Sequence, residues 1–294
     1  MDKPAVPVPS PGTLYVVATP IGHLEDMTLR ALRILKAVPL IAAEDTRHSR
    51  RLLDHFEIRT RLVSCHEHNE KSQIPMLMGH LSSGKDLALI SDAGTPAISD
   101  PGFPLVQAAA DAGIPVIPIP GASAAIAAIS VSGLPTDRFS FIGFAAKKAG
   151  KRADLLRRLS VETGTLIFYE SPHRIVDFIR ELIGHFGNRR CMVAREMTKT
   201  YETYIRGTLS HAADVLSERP SVKGECTLIV AGASTNETPA ATQVDIDEAI
   251  RRLMATGNHS PAQVAKKISR DCGISRKTAY ARAIHLKQPP PEKT

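Results

Sequence analysis

The chain has 294 residues, 43% of them hydrophobic, with 37 Lys or Arg against 30 Asp or Glu and a formal charge of +7. That length allows two or three units with real cores, and no run approaches the ~18 consecutive apolar residues that a membrane span needs. The four cysteines are scattered without a Cys-x-x-Cys pair, which suits reduced thiols in a cytosol rather than a disulfide framework.

Met1 to Pro11 is proline-rich and has no apolar signal core, so residues 1–12 read as a disordered tail of a chain that is not exported. From Thr13 to Gly232 short β-rich runs alternate with helical stretches. Strands are expected at Leu14–Ala18, Leu40–Ala43, Leu87–Ser91, Val116–Ile119, Phe139–Phe144, Thr165–Tyr169, Cys191–Ala194 and Cys226–Ala231. Several are nearly continuous apolar runs, as in strands covered on both faces. Helices are expected at Met27–Ala37, Pro104–Ala112, Ser123–Ser132, Arg174–His185 and Leu209–Ser217, the second stopped by Gly113 and Pro115. The fold class is α/β, and Leu134–Arg138 reads as a linker between a lobe at 13–134 and a second lobe at 135–233, which has hairpin-like spacing around Tyr201–Thr208.

Residues 234–243 are polar without periodicity and read as a mobile linker. The segment 244–288 reads as helical: one helix at Ile246–Ala255, then a capping-box start at Ser260-Pro261-Ala262-Gln263, a stop at Gly273, and a last helix capped by Ser275 and running to about Lys287. Two helices joined by a tight glycine turn resemble a helix-turn-helix. Residues 244–294 hold ten Lys or Arg against five acids, a surface that attracts polyanions. Residues 289–294 form a tail.

No GxxxxGK[ST] loop, GxGxxG turn or GxSxG elbow is present, which removes the fingerprints of a phosphate-loop NTPase, a Rossmann dehydrogenase and an α/β-hydrolase. Three other loops come after expected strands and consist of glycine, proline and small residues: Thr19 to His23, Ser91 to Gly102, and Pro118 to Ala124. Small residues let a backbone approach a ligand closely, and ligands sit at the carboxyl ends of strands in open α/β sheets. Three such loops together favour a ligand site over turn chemistry alone.

Those loops carry a resemblance. TPIGHLEDMTLRAL (19–32), AAEDTRHSRRLL (42–53), SCHEHNE (64–70), SDAGTPAISDPG (91–102), PGASAAIAA (120–128), SGLPTDRFSFIGF (132–144), TLIFYESPHRI (165–175), AREMTKTYETYIRG (194–207) and KGECTLIVAG (223–232) resemble, in order, the tetrapyrrole-methylase superfamily and within it the ribosomal RNA small-subunit methyltransferase I family. His23 departs from the asparagine usual among relatives. The resemblance implies a two-lobed class III methyltransferase fold with a small C-terminal helical domain, a homodimer, and S-adenosylmethionine folded into the cleft between the lobes. It implies 2′-O-methylation of a cytidine ribose in 16S ribosomal RNA near the decoding centre, so the partner is the small ribosomal subunit. Pro20, Ile21, Gly94, Thr95, Ile98, Ser123 and Ala124, with Tyr169 and Ala231 from the second lobe, match the cofactor-lining positions.

A ribose hydroxyl is a weak nucleophile, so a nearby base or charge should assist it. Lys199 and Glu196 are the leading candidates for that role. Glu44 and Asp45 are further acids on these motifs. Arg47, Glu170, His173, Arg174 and Arg195 are read as substrate-binding, and Lys266, Lys267, Arg276 and Lys277 as RNA-docking cations on the C-terminal module. Cys65-His66-Glu67-His68 invites a metal reading, but no third and fourth ligand is evident and no metal is expected. Phe144, Phe168 and Tyr169 sit in apolar runs and read as core before base-stacking. Two rivals stand beside this reading: a methyltransferase acting on a precorrin-type tetrapyrrole, and a non-catalytic nucleic-acid-binding protein working through its C-terminal helices. The second leaves the three loops without a purpose.

Overall fold

The computed structural model describes residues 10–234, 249–254, 260–272 and 276–286, apart from the side chains of 270–272 and 277. Two five-stranded sheets organise it. The first is wholly parallel, with order β3-β2-β4-β1-β5, where β1 is Leu14–Val17, β2 Leu40–Ala43, β3 Arg61–Ser64, β4 Leu87–Ile90 and β5 Val116–Ile119. All four residues of both β2 and β4 are buried, which is why they read as unbroken apolar runs. Alternate residues serve opposite faces. Ile41, Ala43, Ala88 and Ile90 pack with α1 (Leu29–Ala37) and Leu53 of α2 (Thr46–His55). Leu40, Ala42, Leu87 and Leu89 pack with α3 (Glu70–Ser82) and α4 (Phe103–Asp111).

The second sheet has order β6-β7-β10-β8-β9: β6 is Phe139–Phe144, β7 Thr165–Glu170, β8 Arg190–Arg195, β9 Thr203–Thr208 and β10 Cys226–Val230. Only β6 and β7 run parallel; the other pairs are antiparallel. One face buries Leu166, Phe168, Val193 and Leu228 against α6 (Ala149–Leu159), α7 (Ile175–Phe186) and α8 (Leu209–Ser217). The other face presents Ile167, Met192, Ala194 and Ile229, and these pack against Ala125, Ala128 and Ile129 of α5 (Ala124–Ser130), a helix that leaves the first sheet. The lobes therefore share a core. Arg206 adds a 2.7 Å hydrogen bond to the Val131 carbonyl across the same boundary.

The expected strands are all found, most within a residue at each end, and the hairpin-like stretch near Tyr201–Thr208 contains β9. The helix expected from Met27 begins at Leu29, because Thr28 caps it by accepting the Ala31 N–H at 3.2 Å. Beside a short 3-10 turn at Leu24–Asp26, four elements go beyond the expected set. α2 is mostly polar, α3 carries Pro75 and little apolar periodicity, α6 is largely charged, and β3 is a half-exposed edge strand. α3 lacks the helical periodicity, whereas α2 and α6 keep an amphipathic pattern built on few apolar residues.

In the C-terminal part, Ser260 and Gln263 cap each other as expected: the Ser260 N–H donates to Gln263 Oε1 at 2.8 Å, and the Gln263 N–H to Ser260 Oγ at 3.3 Å. The helices Pro261–Cys272 and Arg276–His285 and the helical residues 249–254 share a small cluster of Ile250, Val264, Ala265, Ile268, Ala279 and Ala283. The tails at 1–9 and 289–294, the expected linker 234–243 apart from Ser234, the glycine turn at Gly273, the Ser275 cap and Lys287 lie outside the described residues. Among the described residues no helix is long and apolar enough to cross a membrane.

Candidate active site

Parallel strands deliver the three small-residue loops to one edge of the first sheet, and hydrogen bonds tie the loops to each other. The Thr19 and Gly94 backbones pair at 2.8 and 3.1 Å, the Thr19 hydroxyl donates to the Ser91 carbonyl at 3.1 Å, and the Thr95 hydroxyl to the Ala122 carbonyl at 3.3 Å. Gly94 has φ +77°, where a side chain is strained. Ala97 and Ser99 sit at +67° and +64° without that freedom, a local strain of the kind that clusters at ligand sites.

The second lobe faces these loops with long side chains. The Tyr169 hydroxyl accepts the Ala125 N–H at 3.1 Å, locking the end of β7 to α5. Glu170 is almost fully buried; it accepts from Arg174 at 2.7 Å and from the Ser171 N–H at 2.7 Å. Between the lobes lies a cavity of about 330 Å³, within the ~300–1,000 Å³ range of small-molecule sites. Ile21, Gly94, Thr95, Ile98, Ser123, Ala124 and Tyr169 line it, seven of the nine residues matched to cofactor positions. Pro20 lines a neighbouring cavity, and Ala231 packs at the edge of the shared core.

The charged lining of this cavity is Asp100, Glu170 and Glu225; no Lys or Arg reaches it. Burial, reinforced by the Glu44, Asp92 and Glu225 carboxylates, pushes the Asp100 carboxyl up to about 6, despite a hydrogen bond with Ser91. Glu44 is raised as well, chiefly by burial. Such a surface favours a cationic ligand, because a positive charge relieves the repulsion among the acids. Burial pushes the Cys226 thiol up to about 11, so it is an uncharged wall rather than a nucleophile. Asp100, Glu225, Phe144 and Met197 carry no mark in the sequence that assigns them to this cavity. Asp100 does lie inside the 91–102 loop, but its environment is set by burial and by Glu44 and Glu225 as well as by Asp92 of its own loop.

A second cavity, about 450 Å³, shares Ile21, Ala93 and Glu225 with the first and adds Pro20, Gly22, Leu24, His48, Arg51, Leu52, His55, Asp92 and Lys199. The lobes nearly touch here: a Cβ on Gly22 would lie 2.6 Å from Lys199 Cγ and 2.7 Å from Thr198 Oγ1, and the His23 N–H donates to Thr198 Oγ1 at 3.1 Å. Lys199 Nζ lies 3.0 Å from Glu196 and 3.4 Å from Glu225. Burial opposes the Lys199 charge, but Glu196 and Glu225 outweigh it and raise its pKa; burial likewise opposes the Glu196 charge, and Lys199 and the Glu225 N–H outweigh it and lower its pKa. Lys199 is thus held protonated and Glu196 ionised.

A third cavity, about 610 Å³, is lined by Glu44, His66, Glu67, His68, Glu70 and the stretch 99–104, and it meets the first at Ser99 and Asp100. The His66 and His68 rings lie 6.0 Å apart. Of the residues read as substrate-binding, Arg47 is exposed and paired with Asp45 at 2.9 Å, and His173 is exposed in the turn before α7. Arg195 is buried and donates to Thr203 Oγ1, the Lys223 carbonyl and the Tyr201 carbonyl, so its guanidinium braces the second sheet rather than facing a cavity. Lys266, Lys267 and Arg276 are exposed on the C-terminal helices and line none of the three cavities; the Lys277 side chain lies outside the described residues. Phe168 is core, in contact with Phe178, whereas Phe144 is exposed at the mouth of the first cavity.

This geometry has known counterparts. Residues 13–213 match the family described as tetrapyrrole (corrin/porphyrin) methylases. A protein of Halalkalibacterium halodurans named ribosomal RNA small subunit methyltransferase I is 46% identical over 92% of this chain and 93% of its own length. Its namesake from Pseudomonas aeruginosa is 46% identical over 94% and 98%. Among solved structures, a uroporphyrin III C-methyl transferase from Thermus thermophilus shares the fold with a TM-score of 0.53 at 20% identity, covering 75% of this chain and 97% of its own. A diphthine synthase gives 0.55 at 13%, covering 74% and 89%. The chain belongs to the tetrapyrrole methylase family and, within it, to the ribosomal RNA small subunit methyltransferase I group.

Proposed function

We propose that this enzyme transfers the methyl group of S-adenosylmethionine to the ribose 2′-hydroxyl of a cytidine in small-subunit ribosomal RNA. The observation that carries the reading is the contrast between adjoining cavities: one lined by three carboxylates and no Lys or Arg, the next setting Arg51, Lys199 and two histidines beside Asp92 and the shared Glu225. A sulfonium and an α-ammonium fit the first. A phosphodiester fits the second.

Displacement at a sulfonium carbon gains most from alignment of acceptor, methyl and leaving sulfur. The backbone of the three loops, held by the Thr19, Gly94 and Thr95 hydrogen bonds, supplies that fixed frame. Ile98, Phe144 and Met197 give it an apolar wall. In the pair read as catalytic, protonated Lys199 is a positive charge at the boundary of the two cavities, and Glu196 is the carboxylate that keeps it so. Lys199 therefore positions the substrate rather than removing its proton. The exposed Lys266, Lys267 and Arg276, with Lys277, give the C-terminal module a role in holding RNA, and deleting that module is expected to weaken RNA binding without changing donor affinity. We place the enzyme in the cytoplasm, beside its substrate, and read it as a homodimer.

A tetrapyrrole acceptor has weaker support. The relatives named for ribosomal RNA are 45–46% identical, whereas the uroporphyrin and precorrin enzymes share the fold at 17–20%. The deciding experiment maps ribose methylation in small-subunit RNA by mass spectrometry, from cells with and without the gene. One 2′-O-methylcytidine should vanish with the gene; an unchanged map rejects the acceptor assignment.

A further inference from the structure

Two cavities adjoin the acid-lined one, and only one of them has Lys or Arg in its lining. The cavity at Glu44, Glu67, Glu70 and Asp100 has no Lys or Arg in its lining, so phosphates are repelled from it. The opposite cavity is walled by α2. That helix buries Ser49 and Leu53 against the first sheet and turns the exposed side chains of His48, Arg51 and His55 outward, at spacings of three and four residues on one helical face.

The other arginines of α2 are engaged. Arg47 is paired with Asp45, and Arg50 reaches the Thr60 carbonyl at 3.4 Å. Among the described residues Arg51 forms no ion pair. Arg51 lines a cavity that also holds Lys199, Asp92 and Glu225 and shares Ile21, Ala93 and Glu225 with the acid-lined one. A free guanidinium flanked by two imidazoles is suited to phosphate oxygens, which position a strand without reading its bases.

Building on the RNA reading, we propose that the His48, Arg51 and His55 face of α2 is the phosphate-binding surface of the acceptor strand, and that the target ribose reaches the methyl donor from this side. Arg51 holds a phosphate beside the target nucleotide, and Lys199 on the facing lobe marks the other bank of the entrance. The third cavity takes no part in acceptor binding. Arg51 is a positioning residue, since it touches the strand and not the reacting atoms.

The test measures methyl transfer from labelled S-adenosylmethionine to small ribosomal subunits by the full-length enzyme, over a range of salt, with donor affinity measured separately by calorimetry. Arg51→Glu is expected to raise KM for the subunit about tenfold or more and to flatten the salt dependence by about one counterion, with donor affinity unchanged. Arg51→Lys should recover most of the loss, which separates lost charge from a misfolded helix, and Glu67→Gln in the third cavity should leave KM unchanged. A wild-type enzyme that methylates the subunit, with Arg51→Glu showing the same KM and salt slope, overturns the proposal alone. A raised KM in Glu67→Gln with none in Arg51→Glu overturns it too, and moves the entrance to the other side. A wild-type enzyme that transfers nothing to the subunit removes the RNA reading, and the proposal with it.

Discussion

The acid-lined cavity and its neighbour along α2 share three wall residues yet differ in how they are built. The first takes its shape from backbone, three loops of small residues pinned to one another, and its charge from Asp100, whose carboxyl burial pushes up, together with Glu170 and Glu225. The second takes one wall from side chains of α2, His48, Arg51 and His55, and its remaining charge from Lys199, Asp92 and Glu225 on loops of both lobes. A site made of backbone is rigid and suits a single small ligand; a site made of flexible cations suits a large, charged and variable one.

The contrast can be broken most forcefully at Gly94. A valine there must hold φ near +77°, at a cost of ~1–2 kcal/mol, and its methyls occupy donor space beside Ile21. Gly94→Val is expected to lower donor affinity tenfold or more by calorimetry, with any loss of RNA affinity much smaller. Equal losses of both ligands would show that the two regions are one.

Asp100→Asn comes next and should act with opposite signs on binding and on stability. Its folded-state pKa is raised, so the stability it contributes is present below the ordinary carboxylate value and is lost as pH rises through about 6. The variant should therefore melt higher than wild type at pH 8 and near wild type at pH 4. Donor binding by wild type should strengthen from pH 5 to pH 7.5 as Asp100 ionises, and the variant should lose much of that pH dependence. A wild-type affinity that is flat across this range would remove Asp100 from the donor site.

Tyr169→Phe keeps the ring and removes the acceptor of the Ala125 N–H. A loss of about 1 kcal/mol in denaturant-derived stability is expected, with a modest fall in donor affinity. Smallest of all is Asp45→Ala. Asp45 caps α2 and accepts from the Arg47 N–H at 2.8 Å, and the Arg47 hydrogen bonds hold its carboxyl below the usual range. The stability it contributes is present above the ordinary carboxylate value and is lost as pH falls, so variant and wild type should converge in melting temperature on acidification. By removing an acid and releasing Arg47 on α2, the variant should also strengthen RNA binding slightly and leave the donor untouched.

Much of the backbone-built site is legible in the sequence because its chemistry is written in local residues. Glycines and prolines after apolar runs mark turns at strand ends, and seven residues named on those loops or opposite them do line the cavity. The side-chain-built site is less visible. α2 is amphipathic but holds few apolar residues and is absent from the expected helices, and so the shared face of His48, Arg51 and His55 appears only once the turn of that helix is known. Asp100 illustrates the same limit from the other side. It lies within the 91–102 motif, but its altered proton affinity comes chiefly from burial in the folded protein, and then from Glu44 and Glu225, distant in the chain, joining Asp92 of the same motif. Arg195 shows the converse: a basic residue on a cleft-facing motif that is spent entirely on carbonyl and hydroxyl oxygens of its own lobe.

The helix α5 belongs by covalent chain to one half and by packing to the other. Cut after Leu134, the amino-terminal piece would carry an oily strip with nothing to rest on, while the carboxyl-terminal piece would bare Ile167, Met192 and Ile229 to water. Neither piece is then a self-sufficient folding unit, and the intact pair should come apart in one calorimetric step. Rotation of one half against the other would have to disturb that packing, so the seam ties any change in crevice width to the position of α5.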